Sequence, residues 1–175
     1  MPEFRQPSLQ NTLVLVRPLQ QEDFDALFEV AADPLIWEQH PAHRYKREVF
    51  EVFFSEAIES KGALIIFEKS TGNVIGSSRL QLLTDNDNAI EIGWTFLGRR
   101  YWGGAYNGSI KKLMINHAFQ FIDEVIFFID THNFRSQKSV LKIGAQELIP
   151  SSHPYSKGHS PKYLTFSIHK DRWNW

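Results

Sequence analysis

Residues 91–108 read EIGWTFLGRRYWGGAYNG. Glu91 to Leu97 complete the run AIEIGWTFL, whose β-branched and aromatic residues predict a strand. Beyond Gly103 and Gly104 the period becomes helical. Ile110, Leu113, Met114, His117, Ala118 and Phe121 fall along one stripe, with Lys111, Lys112 and Asn116 outside it. In a strand–loop–helix arrangement the first-turn N–H groups of the helix lack intrahelical acceptors and can hold an anion. Glycines let a ligand approach the backbone closely, and Arg99 and Arg100 offer forked donors suited to phosphate oxygens. Read alone, the segment also describes a glycine-containing connection with solvated arginines. It matches neither GxxxxGK[ST] nor GxGxxG.

Working outward, TLVLVR (12–17) predicts a first strand ended by Pro18, and QQEDFDALFEVAAD a helix stopped at Asp33-Pro34. An irregular stretch from Leu35 to Lys46 precedes a second helix, REVFEVFFSEAIES. ALIIFEKS, a Thr71-Gly72-Asn73 turn and VIGSSRLQLL form a hairpin that AIEIGWTFL extends into an antiparallel meander. After the glycine loop and its helix, EVIFFIDTH is apolar enough for a strand covered on both faces. NFRSQKSVLKIG predicts a compact helix with Asn133 as N-cap and Gly144 as C-cap. A loop from Ser151 to Pro161 and the strand KYLTFSIHK follow, with AQELI as a candidate short strand.

The 175 residues suit a single domain, 1–175, able to bury its own core. Hydrophobic residues at 42% and charged residues at 22% are the balance of a globular chain. A net charge of −1 supplies no attraction for nucleic acid or an anionic membrane. The absence of cysteine removes disulfides, thiolate catalysis and Cys-based zinc sites together. His40 and His43 form no metal spacing with a second cluster, so no metal is expected. No signal-like or membrane-spanning segment is present, which makes a cytoplasmic location the simplest expectation.

EIGWTFLGRRYWGGAYNG before a long helix, then EVIFFIDTHNFRSQKSVLKIGA, resembles the GNAT N-acetyltransferase superfamily, in particular the branch that acetylates N-terminal amines of ribosomal proteins. The likeness runs from Leu13 to about Leu148. It implies an α+β fold with a mixed, mostly antiparallel six- to seven-stranded sheet flanked by about four helices. It also implies acetyl-CoA as co-substrate, with no metal, and an amine acceptor that is a protein N-terminus or a small molecule. Monomer and homodimer both remain open.

The family's phosphate-loop pattern is Gln or Arg, two residues, Gly, one residue, then Gly or Ala. Laid on Trp102, Gly103, Gly104, Ala105, Tyr106 and Asn107, it meets Trp102, Ala105 and Asn107 at fixed positions. By resemblance these residues and Arg100 bind the cofactor, together with the backbone of Thr95, Phe96 and Leu97. Asn133 and Ser136 match the second motif, with Ser136 near the thioester sulfur as the group that bonds or protonates it. The tyrosine acid found in many relatives corresponds to Val140 here.

Glu91 stands where relatives carry a base acting through water. Strand alternation puts Ile90, Ile92 and Trp94 on one face and Glu91, Gly93 and Thr95 on the other. The resemblance assigns Trp37, His40 and Arg79 to the acceptor amine, beside His43 and Tyr45; a loop packing its aromatics on the sheet is the alternative. His117 reads as a hydrogen-bonded core histidine. The expected reaction is direct acetyl transfer in a ternary complex. Ala105, Asn107 and the missing tyrosine leave a non-catalytic acyl-CoA-binding or protein-interaction module as the competing reading.

Overall fold

A computed structural model describes residues 3–149 and 153–175. Ser151 and Ser152 of the predicted loop lie outside the described residues. In chain order the elements are β1 (Leu9–Gln10), β2 (Val14–Pro18), α1 (Phe24–Ala31), α2 (Arg47–Glu59), β3 (Ala63–Glu68), β4 (Val74–Leu82) and β5 (Ala89–Leu97). They continue with α3 (Ala105–Ala118), β6 (Glu124–Asp130), α4 (Phe134–Lys142), β7 (Gln146–Leu148) and β8 (Tyr163–His169).

The strands form one sheet in the order β1-β2-β3-β4-β5-β6-β8-β7. Neighbours are antiparallel except β5 and β6, which are parallel because α3 carries the chain back across the sheet. Eight strands exceed the expected six to seven. The difference lies at the margins, where β1 has only two residues and β7 three.

Alternation along the strands feeds a layer on each side. Leu64 and Ile66 of β3 join Ile110, Met114 and Ile115 of α3 and Val140 of α4; Ala63 and Ile65 face Leu27 of α1 and Phe50, Phe53 and Phe54 of α2. The second layer is aromatic: Phe24 packs edge-on to Phe50 and Phe54 at 5.5 and 5.1 Å. Burying each such ring is worth about 1.5–3 kcal/mol, which anchors α1 and α2 although each is short.

The buried face of α3 differs from the expected stripe. Ile110, Lys111, Met114, Ile115 and Ala118 are buried, while Phe121 is 47% exposed. The helix ends at Ala118, so Phe121 lies beyond it and stacks on Phe4. Lys111, expected to be solvated, points inward. His117 is hydrogen-bonded to the Phe4 carbonyl but is only half-buried, at the rim of the core rather than within it. Trp173 docks on α3 through Nε1 to Asn116 Oδ1 (2.5 Å) and stacks on Trp175. No helix among the described residues is long and apolar enough to cross a membrane.

Candidate active site

β5 pairs with β6 only at Ala89, Ile90 and Glu91. Past that point the strands part, and β5 carries a bulge just beyond it. Its register on β4 jumps from Arg79–Gly93 to Ser77–Phe96, so Trp94 and Thr95 share the place opposite Ser78. Trp94 adopts φ +53°, a strained value for a bulky residue. The Arg79 guanidinium stacked 4.4 Å from its ring and the Ser78–Thr95 hydroxyl bond of 2.7 Å hold the bulge in place.

The bulge overturns the expected alternation. Trp94 crosses to the face of Glu91, where Lys157 Nζ contacts both the carboxylate and the indole. Thr95 crosses to the α3 face and accepts a hydrogen bond from Lys111 Nζ (2.7 Å).

The split opens a cleft of about 290 Å³. Glu91 and Thr95 from β5, Asn107 from α3, Asn133 and Ser136 at the start of α4, and Trp37 and His40 from the segment before α2 all line it. Sequence-distant candidates are thus brought into one cavity. Arg79 does not line it; it lies beneath Trp94, 5% exposed, with Nε and Nη2 free of hydrogen bonds among the described residues. Phe96 and Leu97 send their side chains into opposite core layers, leaving only backbone for any ligand. Tyr106 turns its hydroxyl to Glu68 Oε1 (2.7 Å), and Trp102 Nε1 donates to the Leu97 carbonyl (2.9 Å) beneath the Arg135 guanidinium.

At the glycine loop, Gly103 has φ +70° and Gly104 precedes the first helical residue, Ala105. A left-handed φ explains the first glycine. Gly104 and Gly108 need none, and a Cβ built on either meets nothing within 4 Å. The helix therefore begins with bare backbone facing open space, a surface that fits an extended phosphate-bearing ligand. Arg99 is taken up by Asp33 (2.5 Å), whereas the exposed Arg100 forms no ion pair among the described residues and rests over Tyr101. Asn107 Nδ2 donates to Ser139 Oγ (2.5 Å), tying α3 to α4.

Asn133 caps α4 by accepting from the Ser136 N–H (3.1 Å), as expected. Its Nδ2 and the Ser136 hydroxyl have no partner among the described residues. Gly144, at φ +89°, closes the helix.

Glu91 is 4% exposed and receives Lys157 Nζ at 2.7 and 3.0 Å. Burial raises its pKa, against the opposing pull of Lys157 and Arg79. His40 is held neutral: burial and nearby Arg44 push its pKa down to about 4, and its Nδ1 accepts from the Ala42 N–H. Arg44 lines the cleft over Phe53 and Trp37, its pKa lowered to about 10 by burial and by Arg79. Sequence reasoning missed Arg44, Lys157 and Lys111. For Lys111 a signal existed, since 111, 114, 115 and 118 keep helical spacing with three apolar residues. Lys157 lies 66 residues from Glu91 in a turn-rich loop with no periodicity to read. Among the described residues no group of three or more His, Asp or Glu is placed to hold a metal ion.

Solved structures share this architecture. A GCN5-related N-acetyltransferase from Brucella melitensis superposes with TM-score 0.78 at 18% identity, over 96% of this chain and 80% of its own. A GNAT-family acetyltransferase from Bacillus anthracis gives 0.74 at 15%, over 94% and 99%. Mycobacterium smegmatis RimJ, in complex with CoA-disulfide, gives 0.67 at 14%, over 95% and 87%. At such identities the likeness is one of fold. No curated protein matches the sequence. The model of the acetyltransferase (GNAT) domain matches residues 14–146, most of the chain; the chain therefore belongs to the GNAT acetyltransferase family.

Proposed function

We propose that this acetyltransferase moves an acetyl group from acetyl-CoA to a primary amine, a protein N-terminus or a small amine, by direct transfer in a ternary complex. The observation that carries the reading is the single cleft at the β5–β6 split, which joins Thr95, Asn133 and Ser136 on one side to Glu91, Trp37 and His40 on the other.

The phosphate-loop pattern fits better when begun at Arg100 than at Trp102. Arg100, Gly103 and Ala105 then occupy its three fixed positions, and the conformations agree. Gly103 takes the left-handed φ, and Ala105 opens α3 at a helical position where a methyl group is tolerated. Asn107 falls outside the pattern and is accounted for by its bond to Ser139. In this reading Arg100 and the N–H groups from Gly103 to Asn107 hold the pyrophosphate, and Trp102 and Tyr106 contribute backbone while their side chains brace the loop.

Acetyl transfer needs a neutral amine, a polarised thioester carbonyl and a proton for the departing sulfur. Glu91 takes the proton from the amine, directly or through water, within an environment that raises its basicity. A backbone N–H of the bulged segment, at Thr95 or Phe96, donates to the carbonyl oxygen. Asn133 holds the pantetheine arm, and the Ser136 hydroxyl bonds the sulfur. Trp37, His40 and Arg44 shape the acceptor side, with Arg79 behind Trp94 supporting it.

Calorimetry with acetyl-CoA, followed by thiol release over a broad panel of peptides and amines, tests the reading. The absence of cysteine removes background from a thiol-reactive reporter. Failure to bind acetyl-CoA at any accessible concentration sinks the cofactor half. Tight binding with a silent panel sinks the transfer half.

A further inference from the structure

Lys111 is the one charged residue on the buried face of α3. It is 4% exposed, and its Nζ has a single hydrogen-bond partner, Thr95 Oγ1 at 2.7 Å, beside the Phe127 ring at 5.4 Å. No carboxylate among the described residues pairs with it. An ammonium so placed is expensive for the fold, whereas a methionine or leucine would fill the same stripe without penalty. Its position belongs to the cleft: Lys111 lines the cavity with Ser136 and Val140 on α4 and with Thr95 on the bulge.

We propose that Lys111 supplies the proton to the sulfur that departs when the acetyl group is transferred; the inference rests on the acetyl-CoA reading above. In the balanced step the amine nitrogen bonds the acetyl carbon, the C–S bond breaks with its electron pair on sulfur, and Lys111 gives that sulfur a proton. Glu91 receives the proton lost by the amine. Solvent returns one proton to Lys111 and removes one from Glu91, so the reaction is proton-neutral overall.

Burial alone brings the Lys111 pKa down to about 7, so near neutral pH it both holds and releases a proton. The other titratable groups of the cleft are Glu91 on β5, Asp130 on β6, His40 and Arg44 before α2, and Lys157 and Tyr163 near β8, and none forms an ion pair with it. Ser136, whose hydroxyl is a far weaker acid, keeps the role of hydrogen-bonding the sulfur.

The test reads the pH dependence of turnover with saturating acetyl-CoA and the amine of the panel that reacts fastest. Lys111 must hold its proton to deliver it, so kcat should fall as pH rises through about 7. Lys111→Met should lower kcat by about 10²-fold, lose that basic limb and still bind acetyl-CoA. Lys111→Arg keeps the positive charge but does not release its proton, so it should be slow and likewise lack the limb. A basic limb that is the same in the wild type and in Lys111→Met, with both binding acetyl-CoA, overturns the proposal and leaves the acetyl-CoA reading standing. A wild type that binds no CoA removes that reading instead.

Discussion

Lys157 Nζ lies 2.7 Å from Oε1 and 3.0 Å from Oε2 of Glu91, with the rings of Trp94 and Phe128 at 4.9 and 4.8 Å. A buried carboxylate is thus paired with a cation whose side chain remains 36% exposed. The pair sets the pH range over which Glu91 can act as a base. Burial raises the Glu91 pKa, and Lys157 and Arg79 pull it down. As a base Glu91 must be deprotonated, so turnover falls as pH drops through its pKa. Lys157→Met removes the nearer cation, and the acid limb of the kcat profile should move to higher pH. Glu91→Gln should lower kcat by about 10²-fold or more and leave acetyl-CoA affinity unchanged. Activity of Glu91→Gln equal to the wild type across neutral pH takes the base role away.

The glycine pair separates conformational from contact effects. Gly103→Ala places a Cβ at φ +70° and should destabilise the fold by about 1 kcal/mol in urea unfolding. Gly104→Ala has a negative φ and open space around its new methyl group, so stability should hold. Its acetyl-CoA affinity should nevertheless fall about tenfold, because the methyl group covers backbone that the pyrophosphate needs. Unchanged affinity in Gly104→Ala would move the phosphates away from this loop.

Asn107→Ala tests the register of the loop pattern. The Asn107 bond to Ser139 ties α3 to α4, so its loss should cost about 1 kcal/mol of stability. If the pattern begins at Arg100, the Asn107 side chain has no part in it, and acetyl-CoA affinity should stay within about twofold. Arg100→Ala should instead weaken binding by about tenfold with stability unaltered, since its side chain is exposed and forms no ion pair among the described residues.

The element order and the sheet were legible because periods of two and 3.6 residues separate cleanly around residues 91–108. The split between β5 and β6 was not. Just beyond it Trp94 takes a left-handed φ that no local propensity favours and that Arg79, from the neighbouring strand, helps to hold. Once that residue turns, the face of everything after Gly93 changes, which is why alternation misplaced Trp94 and Thr95. Lys111 departs from expectation for a different reason: its charge predicts solvent, whereas its spacing follows the buried stripe. The Glu91–Lys157 pair was beyond reach of any local pattern, because tertiary folding alone brings the β8-side loop over β5.

His40 gives a stability signature independent of any substrate. Its pKa is lowered to about 4, first by burial and then by Arg44. The unfolded chain binds a proton at the ordinary histidine pKa of about 6.5, so between these values the unfolded state holds more protons than the folded one. Stability from this site is therefore fully present above about 6.5 and is lost as pH falls toward 4. His40→Gln removes the linkage, and its plot of unfolding free energy against pH should be shallower there by up to about one proton's worth of slope. Urea midpoints across this acidic range decide it. Parallel curves for variant and wild type would show that His40 titrates in the folded protein much as it does unfolded, and would place the ring in water rather than against Trp37.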